Sequence, residues 1–382
     1  MKKSRVLLIT DYMPAGGSRT YLAGVLEEMS KHGGTAIIFT KFKIDAVIRN
    51  KLDQVDCHII SLTKNRYASI PSRIRHVLAI FSKKSSLLTD YEIILIDFIF
   101  NLVALSPFSA FKKLPPIIYQ LHGLDYKEKD SEITQLGSTS IFTKIKSVSR
   151  RSIEKKILNS VPLKVLVFSN YAQSLLVQEQ INAKSKIIRP GLGFIEKATS
   201  KKTTKIDRNS LILSSRIDPR KGTTTFFTNI MPLISSDLLR NTDVIVMSNF
   251  YHNNHLDAFF ESINEKICDN VLLLHNPSEA KRFQIMRAAS MVILPSLDLE
   301  TYGFSAQEAL LSGIPVVAYN RCAYPEFIPK KMLVENEASF AKKIEDILKN
   351  PLIYMKIVAK AKLQLKKELS WSRYYNALCE LT

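Results

Sequence analysis

Short apolar runs alternate with longer helical patterns along the chain, and this alternation constrains the fold more than any other feature of the sequence. The runs are rich in β-branched residues, which favour strands. Strands that alternate with helices form βαβ units, whose parallel sheets are buried on both faces. The sequence therefore predicts an α/β fold. The predicted strands are Val6–Thr10, Ala36–Thr40, His58–Leu62, Ile93–Asp97, Ile117–Leu121, Val165–Ser169, Leu211–Ser214, Val244–Met247, Val271–Leu274, Val292–Leu294 and Pro315–Tyr319.

The length of 382 residues predicts two domains, because a single hydrophobic core stops growing at about 250–300 residues. A polar stretch without apolar periodicity, EKATSKKTTKIDRNS at 196–210, separates two groups of strands and is the predicted linker. We predict an N-terminal domain over 1–195 and a C-terminal domain over 211–368. Residues 369–382, with Ser370 as the helix cap, form a last helix that is expected to return towards the N-terminal domain. Each domain would hold a doubly wound, Rossmann-like sheet, with ligand bound at the carboxyl ends of the strands in a cleft between the domains.

The formal net charge of +19 predicts an anionic partner. Nucleic acid, an acidic lipid surface and a phosphorylated small molecule all fit this charge. No aromatic-interleaved RNA motif or zinc finger is present, so nucleic acid is not the expected partner. The four cysteines lie far apart without a CxxC pair, which fits a reduced cytoplasmic compartment. No apolar run approaches the roughly 20 residues that cross a bilayer, and the first run is too short for a signal peptide.

The segment PSLDLETYGFSAQEALLSGIPVVAY, at Pro295–Tyr319, carries two carboxylates beside a predicted helix start. Glu300 lies in the loop after a strand, and the helix is predicted to begin near Gly303 and to end at Gly313. The amides and the positive dipole end of such a helix form an anion site. Glu308, about one turn deeper, is placed to accept hydrogen bonds from hydroxyls, as carboxylates do when they hold a ribose. Alternatively, the two glutamates are a solvated loop residue and an ordinary charge on a helix face.

The segment LILSSRIDPRKGTTTFF offers three cations after a strand that ends at Ser214. Arg216, Arg220 and Lys221 precede a helix predicted to start near Gly222. Guanidinium and ammonium groups beside a helix N-terminus suit a diphosphate and can neutralise it without a metal. Since the sequence has no D-x-D pair, we do not expect a metal to hold the diphosphate, and we expect no cofactor. A solvated basic loop is the alternative interpretation.

Two further positions follow predicted strands of the N-terminal domain. Gly16 and Gly17 would let the backbone approach a ligand closely, although a tight turn explains a glycine pair equally well. His122 closes a strand and would place an imidazole at the rim of the cleft. A histidine at such a position can also be a hydrogen-bonded structural residue.

In their order along nearly the whole chain, these segments resemble the retaining glycosyltransferases of family four. That family has the GT-B fold, in which two Rossmann-like domains with doubly wound parallel sheets face each other across a cleft. The matching segments are the Gly-Gly loop at Gly16, LHG at His122, VFSNYAQSLL at Val167, IIRPGLGF at Ile187, SRIDPRKG at Ser215, PSLDLETYGFSAQEALLSGIPVV at Pro295 and LSWSRYY at Leu369.

The resemblance implies a nucleotide-sugar donor and a role for each candidate residue. Arg216 and Lys221 would hold the donor diphosphate, Glu308 the ribose, and Glu300 the hydroxyls of the sugar. His122 would lie near the transferred sugar and the acceptor. The catalytic set is then His122, Glu300, Arg216 and Lys221. The donor site would comprise Gly17, Arg216, Lys221, Glu300, Gly303, Phe304, Ser305 and Glu308.

Retention of configuration would proceed by attack on the face from which the leaving group departs, with a donor phosphate oxygen accepting the proton. This mechanism is carried over from the family. Glu300 would then position the donor and need not act as a nucleophile. The chain departs from the family where glycines are usual, with Ser248 and Asn249, His275 and Asn276, and Cys322 and Ala323 in their place. The base of the nucleotide therefore stays open among uracil, guanine and adenine.

Two basic amphipathic segments fall in the N-terminal domain. Residues 57–89 contain no acidic residue and place basic residues around an apolar stripe. Residues 140–158, SIFTKIKSVSRRSIEKKIL, again surround an apolar stripe with basic residues. Basic amphipathic helices are typical of docking to anionic lipid headgroups. An apolar stripe packed in the core, with a solvated basic rim, is the alternative. The apolar stripes are Ile70, Ile74, Val77, Leu78 and Phe81, and Ile141, Ile145, Val148 and Ile157; the basic residues around them are Arg73, Arg75, Lys83 and Lys84, and Lys144, Lys146, Arg150, Arg151, Lys155 and Lys156.

The sequence as a whole thus predicts a cytoplasmic, peripherally membrane-associated glycosyltransferase. It would transfer a sugar from a nucleotide sugar to a saccharide acceptor in the synthesis of a cell-surface polysaccharide or lipopolysaccharide. The basic surface predicts that this acceptor is lipid-linked. The alternatives are a GT-B enzyme with a soluble acceptor and a non-catalytic GT-B protein that binds a nucleotide sugar or glycan.

Overall fold

The chain divides into two compact units in a computed structural model. The structure describes residues 6–13, 16–62, 73–74, 91–99, 101–102, 114–128, 130, 141–191, 209–248, 256–263 and 270–381, with the backbone alone for 141–147. Unit 1 comprises Met1–Lys129, Thr139–Leu192 and Leu369–Thr382, and unit 2 comprises Asp130–Ser138 and Gly193–Glu368.

Unit 1 is built on a seven-stranded sheet in the order β3-β2-β1-β4-β5-β6-β7, with every pairing parallel. Its central strands are buried because both faces are covered, as their apolar sequences predict. The strand β7 was missed from the sequence, since KSKI has no apolar run and pairs only along the edge of the sheet. The strands are β1 Val6–Asp11, β2 Gly34–Thr40, β3 Asp56–Ser61, β4 Ile93–Asp97, β5 Ile117–Gln120, β6 Leu163–Val167 and β7 Lys184–Ile187.

The helices of unit 1 begin at residues suited to helix starts. Gly16, at φ +83°, precedes α1, and the side chains of Asp45 and Ser169 accept hydrogen bonds from the first amides of α2 and α4. The helix α1 buries Leu22, Leu26 and Met29 at helical spacing. These helices are α1 Gly17–His32, α2 Ala46–Leu52, α3 Ile141–Ser160 and α4 Asn170–Gln178.

Unit 2 contains a second all-parallel sheet of six strands, in the order β10-β9-β8-β11-β12-β13. The first strand begins inside the predicted linker, because Asn209 and Ser210 pair with Thr242 and Asp243. Residues 196–208 of that linker lie outside the described residues. The two-residue β13 was too short to be found from the sequence. The strands are β8 Asn209–Ser214, β9 Thr242–Ser248, β10 Val271–His275, β11 Met291–Leu294, β12 Val316–Tyr319 and β13 Leu333–Val334.

The helices of unit 2 alternate with these strands, as expected for parallel crossovers. They are α5 Thr223–Thr225, which continues as a π-helical turn at Phe226–Ile230, α6 Ser236–Arg240, α7 Leu256–Ser262, α8 Glu279–Ala288, α9 Phe304–Ser312, α10 Glu337–Lys349 and α11 Pro351–Glu368. Short 3₁₀ turns occupy Pro219–Lys221, Met231–Leu233, Tyr324–Glu326 and Lys330–Met332. None of the helices in the described part of the chain is long and apolar enough to cross a membrane.

The last helix, α12 at Trp371–Cys379, belongs to unit 1 and begins after Ser370, whose side chain accepts a hydrogen bond from the Arg373 amide. The indole of Trp371 packs so closely on Gly24 and Gly191 that a Cβ on either glycine would overlap it. The Tyr374 hydroxyl lies 2.8 Å from Gln120 Oε1 and 2.9 Å from the Tyr21 hydroxyl. The end of the chain is therefore part of the core of unit 1.

Candidate functional site

The order of the strands in unit 2 reverses direction between β8 and β11. In an open parallel sheet, the loops after two such strands diverge and leave a crevice at their carboxyl ends. The loop that follows Ser214 contains the predicted cations, and the loop that follows Leu294 contains Glu300. The two segments singled out from the sequence thus lie at the topological switch point of one sheet.

The two loops are joined to each other by main-chain contacts. The Leu297 amide donates to the Arg220 carbonyl at 2.7 Å, and the buried Arg220 guanidinium donates to the Leu299 carbonyl at 3.3 Å. Gly222 has φ +68°, and a side chain there would overlap the Pro295 carbonyl oxygen. Glycine alone tolerates this positive φ and leaves room for the Pro295 carbonyl. The backbones of the basic loop and the acidic loop are therefore in direct contact.

Lys221 and Glu300 form an ion pair between the loops. Lys221 Nζ lies 2.5 Å from Glu300 Oε2, and each side chain is only 16% exposed. The other oxygen, Glu300 Oε1, accepts a hydrogen bond from the Gly303 amide at 3.0 Å. Burial by itself would raise the pKa of Glu300, but the Lys221 ammonium more than offsets this and the pKa is lowered. The carboxylate is therefore ionised and fixed in place.

The helix α9 begins at the same point. Gly303 is its N-cap in the left-handed conformation at φ +76°, and it has no side chain with which to cap the amides that follow, beginning with Phe304. Ser305 Oγ donates to the Ser214 carbonyl at 3.1 Å, which fixes the first turn against the end of β8. The predicted start at Gly303 or Phe304 and the predicted end at Gly313 are confirmed. A helix N-terminus at a switch point is an arrangement that favours a bound anion.

Glu308 lies one turn further along α9 and is bound by an arginine that the sequence analysis did not identify. Arg282 of α8 forms a two-pronged ion pair with it, with Nη1 2.6 Å from Oε2 and Nη2 3.0 Å from Oε1. The Glu308 side chain is 4% exposed and that of Arg282 is 21% exposed. No motif pointed to Arg282, because the two residues meet only when α8 packs beside α9.

Arg216 occupies the outer part of the basic loop. Its side chain is 57% exposed, and Nη2 lies 3.4 Å from Asp218 Oδ2. Asp218 also caps the 3₁₀ turn by accepting the Lys221 amide at 3.1 Å. The structure therefore brings Lys221, Glu300 and the start of α9 together at the switch point and places Arg216 on the solvent side of the same loop.

The corresponding switch point of unit 1 lies between β1 and β4. The nearby His122 follows the adjacent strand β5. Its Nε2 lies 3.4 Å from Oδ2 of Asp97, the buried last residue of β4. The ring is packed edge-on by Tyr21 and Phe168, with centroid distances of 4.9 and 5.6 Å. Burial raises the pKa of Asp97, although the hydrogen bond to His122 lowers it in part. Gly17 is the first residue of α1, the helix that brings Tyr21 to this ring.

A second polar cluster at this switch point was also missed from the sequence. The Arg73 guanidinium donates to both carboxylate oxygens of Asp11, at 2.5 and 2.8 Å, and to Asn101 Oδ1. Arg73 was predicted as part of an exposed basic surface, and this was wrong, because its side chain is 2% exposed. Among the described residues, no group of three or more His, Cys, Asp or Glu side chains is placed to hold a metal ion.

The C-terminal half of the chain matches a known family model, described as "Glycosyl transferases group 1", over residues 195–364. This range includes both loops of the unit 2 switch point and the helices α8 and α9. No curated protein sequence matches the chain.

Solved structures resemble the chain over almost its whole length. They include sucrose-phosphate synthase from Thermosynechococcus elongatus, with 15% identity, a TM-score of 0.76 and coverage of 99% of this chain and 98% of the other. Alr3699/HepE from Anabaena, solved in complex with UDP and glucose, has 16% identity, a TM-score of 0.75 and coverage of 99% of both chains. A glycosyltransferase from Rickettsia africae has 18% identity, a TM-score of 0.69 and coverage of 100% and 98%. The predicted GT-B fold with two Rossmann-like parallel-sheet domains is confirmed.

Proposed function

We propose that this chain is a retaining glycosyltransferase of family four that uses a nucleotide-sugar donor. The observation that carries the proposal is the Lys221–Glu300 ion pair beside the N-terminus of α9, at the switch point of unit 2. The group 1 family match over the same residues supports it, as do the synthases and glycosyltransferases among the similar structures.

The proposed donor site uses the charges of this switch point. An ammonium group has three N–H donors, so Lys221 can bind a diphosphate while one donor stays with Glu300. The exposed Arg216 adds a guanidinium on the solvent side of the loop, and the amides of Phe304 and Ser305 add the helix terminus. Fixed cations and amides stabilise the negative charge that gathers on a departing nucleoside diphosphate. The site therefore supplies this charge compensation from the chain itself, with no metal.

The two glutamates have different proposed tasks. Glu300 is committed to Lys221 and to the Gly303 amide, which suits a group that positions the sugar hydroxyls better than a free nucleophile. Glu308, held in one orientation by Arg282, accepts the ribose hydroxyls. The acceptor hydroxyl then attacks the anomeric carbon of the donor sugar on the same face from which the diphosphate departs. An oxygen of the donor phosphate takes the proton of that hydroxyl. His122, oriented by Asp97, contacts the transferred sugar or the acceptor.

The donor assignment is tested by thermal shift with UDP, GDP, ADP and CMP and their sugars, because a ligand that binds only the folded state raises its apparent stability. One nucleotide is expected to raise the melting temperature. Lys221→Ala and Glu308→Gln should abolish that rise, whereas Lys330→Ala, which removes an exposed lysine of the same unit, should keep it. An unchanged response in Lys221→Ala and Glu308→Gln would refute the assigned donor site.

The reaction is tested next with the responding sugar nucleotide. Transfer should give a product with the anomeric configuration of the donor, as read by proton NMR, and an inverted product would refute the retaining mechanism. Lys221→Ala is expected to reduce turnover about a hundredfold or more, the range found when one charge-stabilising donor is removed from an active site. No transfer by a protein that binds the nucleotide would favour the non-catalytic alternative.

The proposed acceptor is a lipid-linked saccharide at the cytoplasmic face of the membrane, in the synthesis of a cell-surface glycan. The support is the basic helix α3, on which Val148 is 63% and Ile153 is 55% exposed. At about 100° per residue, the exposed Lys156 lies between these two side chains around the helix. Such a face suits anionic headgroups. The other predicted stripe, at 57–89, lies outside the described residues except for 57–62 and 73–74.

Vesicle sedimentation tests this placement. The protein should sediment with anionic vesicles at low salt and stay in solution with neutral ones. Val148→Ser with Ile153→Ser should weaken that binding. Indifference to both vesicle types would favour the second candidate, an enzyme with a soluble acceptor, which the resemblance to sucrose-phosphate synthase also supports.

A further inference from the structure

The helix α11 of unit 2 has two apolar sides. One side is buried and consists of Tyr354, Val358, Ala361 and Leu365, whose spacing of four, three and four residues follows one face of a helix. This side attaches the helix to unit 2. The remaining large apolar side chains of α11 are therefore not needed to hold it in place.

The second apolar side faces solvent. Leu352 is 73%, Met355 54% and Leu363 64% exposed. Together with the exposed Ala359 they follow the spacing i, i+3, i+7 and i+11, which is again one face of a helix. Ile353, 54% exposed, lies next to this stripe. Large apolar side chains exposed singly are common, but several in one line on one helix mark a contact surface.

Lysines border the exposed stripe on both sides. At about 100° per residue, Lys356, Lys360 and Lys367 lie along one border and Lys362 and Lys366 along the other. The helix has a single acidic residue, Glu368, at its last position. Burial lowers the pKa of Lys362, and the positive charges of Lys366 and Arg287 lower it further, so this border is short of negative charge.

The charges select one partner. A second copy of the chain would bring two lysine-lined faces together, and like charges repel. Nucleic acid would engage the lysines and leave the leucines and methionine exposed. An anionic membrane surface matches both the apolar stripe and the lysines that border it. The stripe enters the boundary of headgroups and acyl chains, and the lysines on either side contact acidic headgroups.

We propose that the exposed face of α11 is a membrane-docking surface for anionic lipid. It is separate from the switch point of unit 2 and from α3, and it does not depend on glycosyl transfer.

The proposal is tested with phosphatidylcholine vesicles, alone and mixed with phosphatidylglycerol. A stripe variant, Leu352→Ser with Met355→Ser and Leu363→Ser, should bind the mixed vesicles at least tenfold more weakly than the parent chain. The matched control, Leu233→Ser with Leu272→Ser, removes leucines of unit 2 that are 53% and 51% exposed and should bind as the parent does. Equal binding by the stripe variant and the parent would overturn the proposal.

A fluorescence probe identifies the contact directly. The only native tryptophan, Trp371, is buried in unit 1. In the variant Leu352→Trp, any change in tryptophan fluorescence with lipid therefore comes mainly from the new side chain on α11. Its emission should shift to the blue with mixed vesicles and stay unchanged with phosphatidylcholine alone, while Leu272→Trp should respond to neither. A Leu352→Trp emission that ignores mixed vesicles would overturn the proposal.

Two further measurements distinguish lipid docking from self-association and from a general loss of structure. Sedimentation velocity without lipid should give the same mass for the parent and the stripe variant, and a dimer lost only in the stripe variant would show that a second copy occupies the face instead. The nucleotide-induced thermal shift should be identical in the parent chain and in the stripe variant. Loss of vesicle binding with an intact nucleotide response therefore supports docking by α11, whatever the outcome of the proposed glycosyl transfer.

Discussion

The Arg282–Glu308 pair holds in one orientation the carboxylate that we assign to the ribose. Removing one partner of a buried ion pair leaves the other charge desolvated and uncompensated. We expect Arg282→Ala to lower the free energy of unfolding by roughly 2 kcal/mol, less than for a fully buried pair because Arg282 is partly exposed. Urea unfolding measures this, with the neighbouring exposed Lys281→Ala as control.

A double-mutant cycle completes this test. If the two residues act as a pair, the combined Arg282→Ala and Glu308→Gln variant should lose less stability than the sum of the single losses. Arg282→Ala should also weaken the nucleotide-induced thermal shift, because Glu308 loses the group that orients it. Additive losses with full nucleotide affinity would contradict the positioning role.

Glu154 is a second residue whose environment only the structure reveals. It is buried on α3 and accepts the backbone amides of Asp125 and Tyr126 at 3.2 and 3.1 Å. Burial raises its pKa from 4.5 to about 8, although the Tyr126 hydrogen bond opposes this. Between these two values the folded protein holds a proton that the unfolded chain releases. Stability should therefore fall as pH rises through this window, by up to about 1.4 kcal/mol per pH unit from this group.

The variant Glu154→Gln isolates that contribution, because an amide does not titrate. The parent's free energy of unfolding, measured by urea titration from pH 5 to 8, should fall more steeply with pH than that of Glu154→Gln. Parallel pH profiles would show that Glu154 is ionised throughout this range in the folded state.

At the scale of elements, the junction of the two unit 2 loops depends on Gly222. Gly222 and Gly313 both have positive φ, at +68° and +86°, but only at Gly222 would a Cβ overlap backbone. Gly313→Ala should cost about 1–2 kcal/mol from the left-handed backbone alone. Gly222→Ala should cost clearly more, since the loops must separate, and should also abolish the nucleotide response. Equal losses in chemical denaturation would mean that the junction tolerates the displacement.

The elements also show where sequence patterns succeed. Central strands such as β1 and β8 are continuous apolar runs because both faces of their sheets are covered, so their positions are readable within one or two residues. The edge strand β7 is held by backbone hydrogen bonds to β6, and such bonds leave no trace in the side-chain pattern. Sequence periodicity has the same limit for helices, since it does not distinguish an apolar stripe that is buried from one that is exposed, as on α11.

At the scale of the whole molecule, the chain builds unit 2 and then ends in unit 1. Trp371→Ala should remove an indole packed on Gly24 and Gly191 and destabilise unit 1 by about 3–5 kcal/mol. Calorimetry should show the unfolding transition of unit 1 lowered and that of unit 2 unchanged. Arg373→Ala, an exposed position on the same helix, serves as control. A shift of the unit 2 transition alone would contradict this division of the chain.

The amino-acid sequence was sufficient to predict the α/β class, the repeated strand–helix order, the two loops that carry Lys221 and Glu300 and the helix that carries Glu308, because burial and turn chemistry follow from residues close together in the chain. Which charges meet depends on the packing of elements that are distant in the sequence. Arg282 and Glu308 are 26 residues apart, and Arg73 and Asp11 are 62 apart. Their pairing depends on how helices pack on a sheet, and no local pattern encodes that distance. The same packing left one apolar side of α11 buried and the other open to solvent.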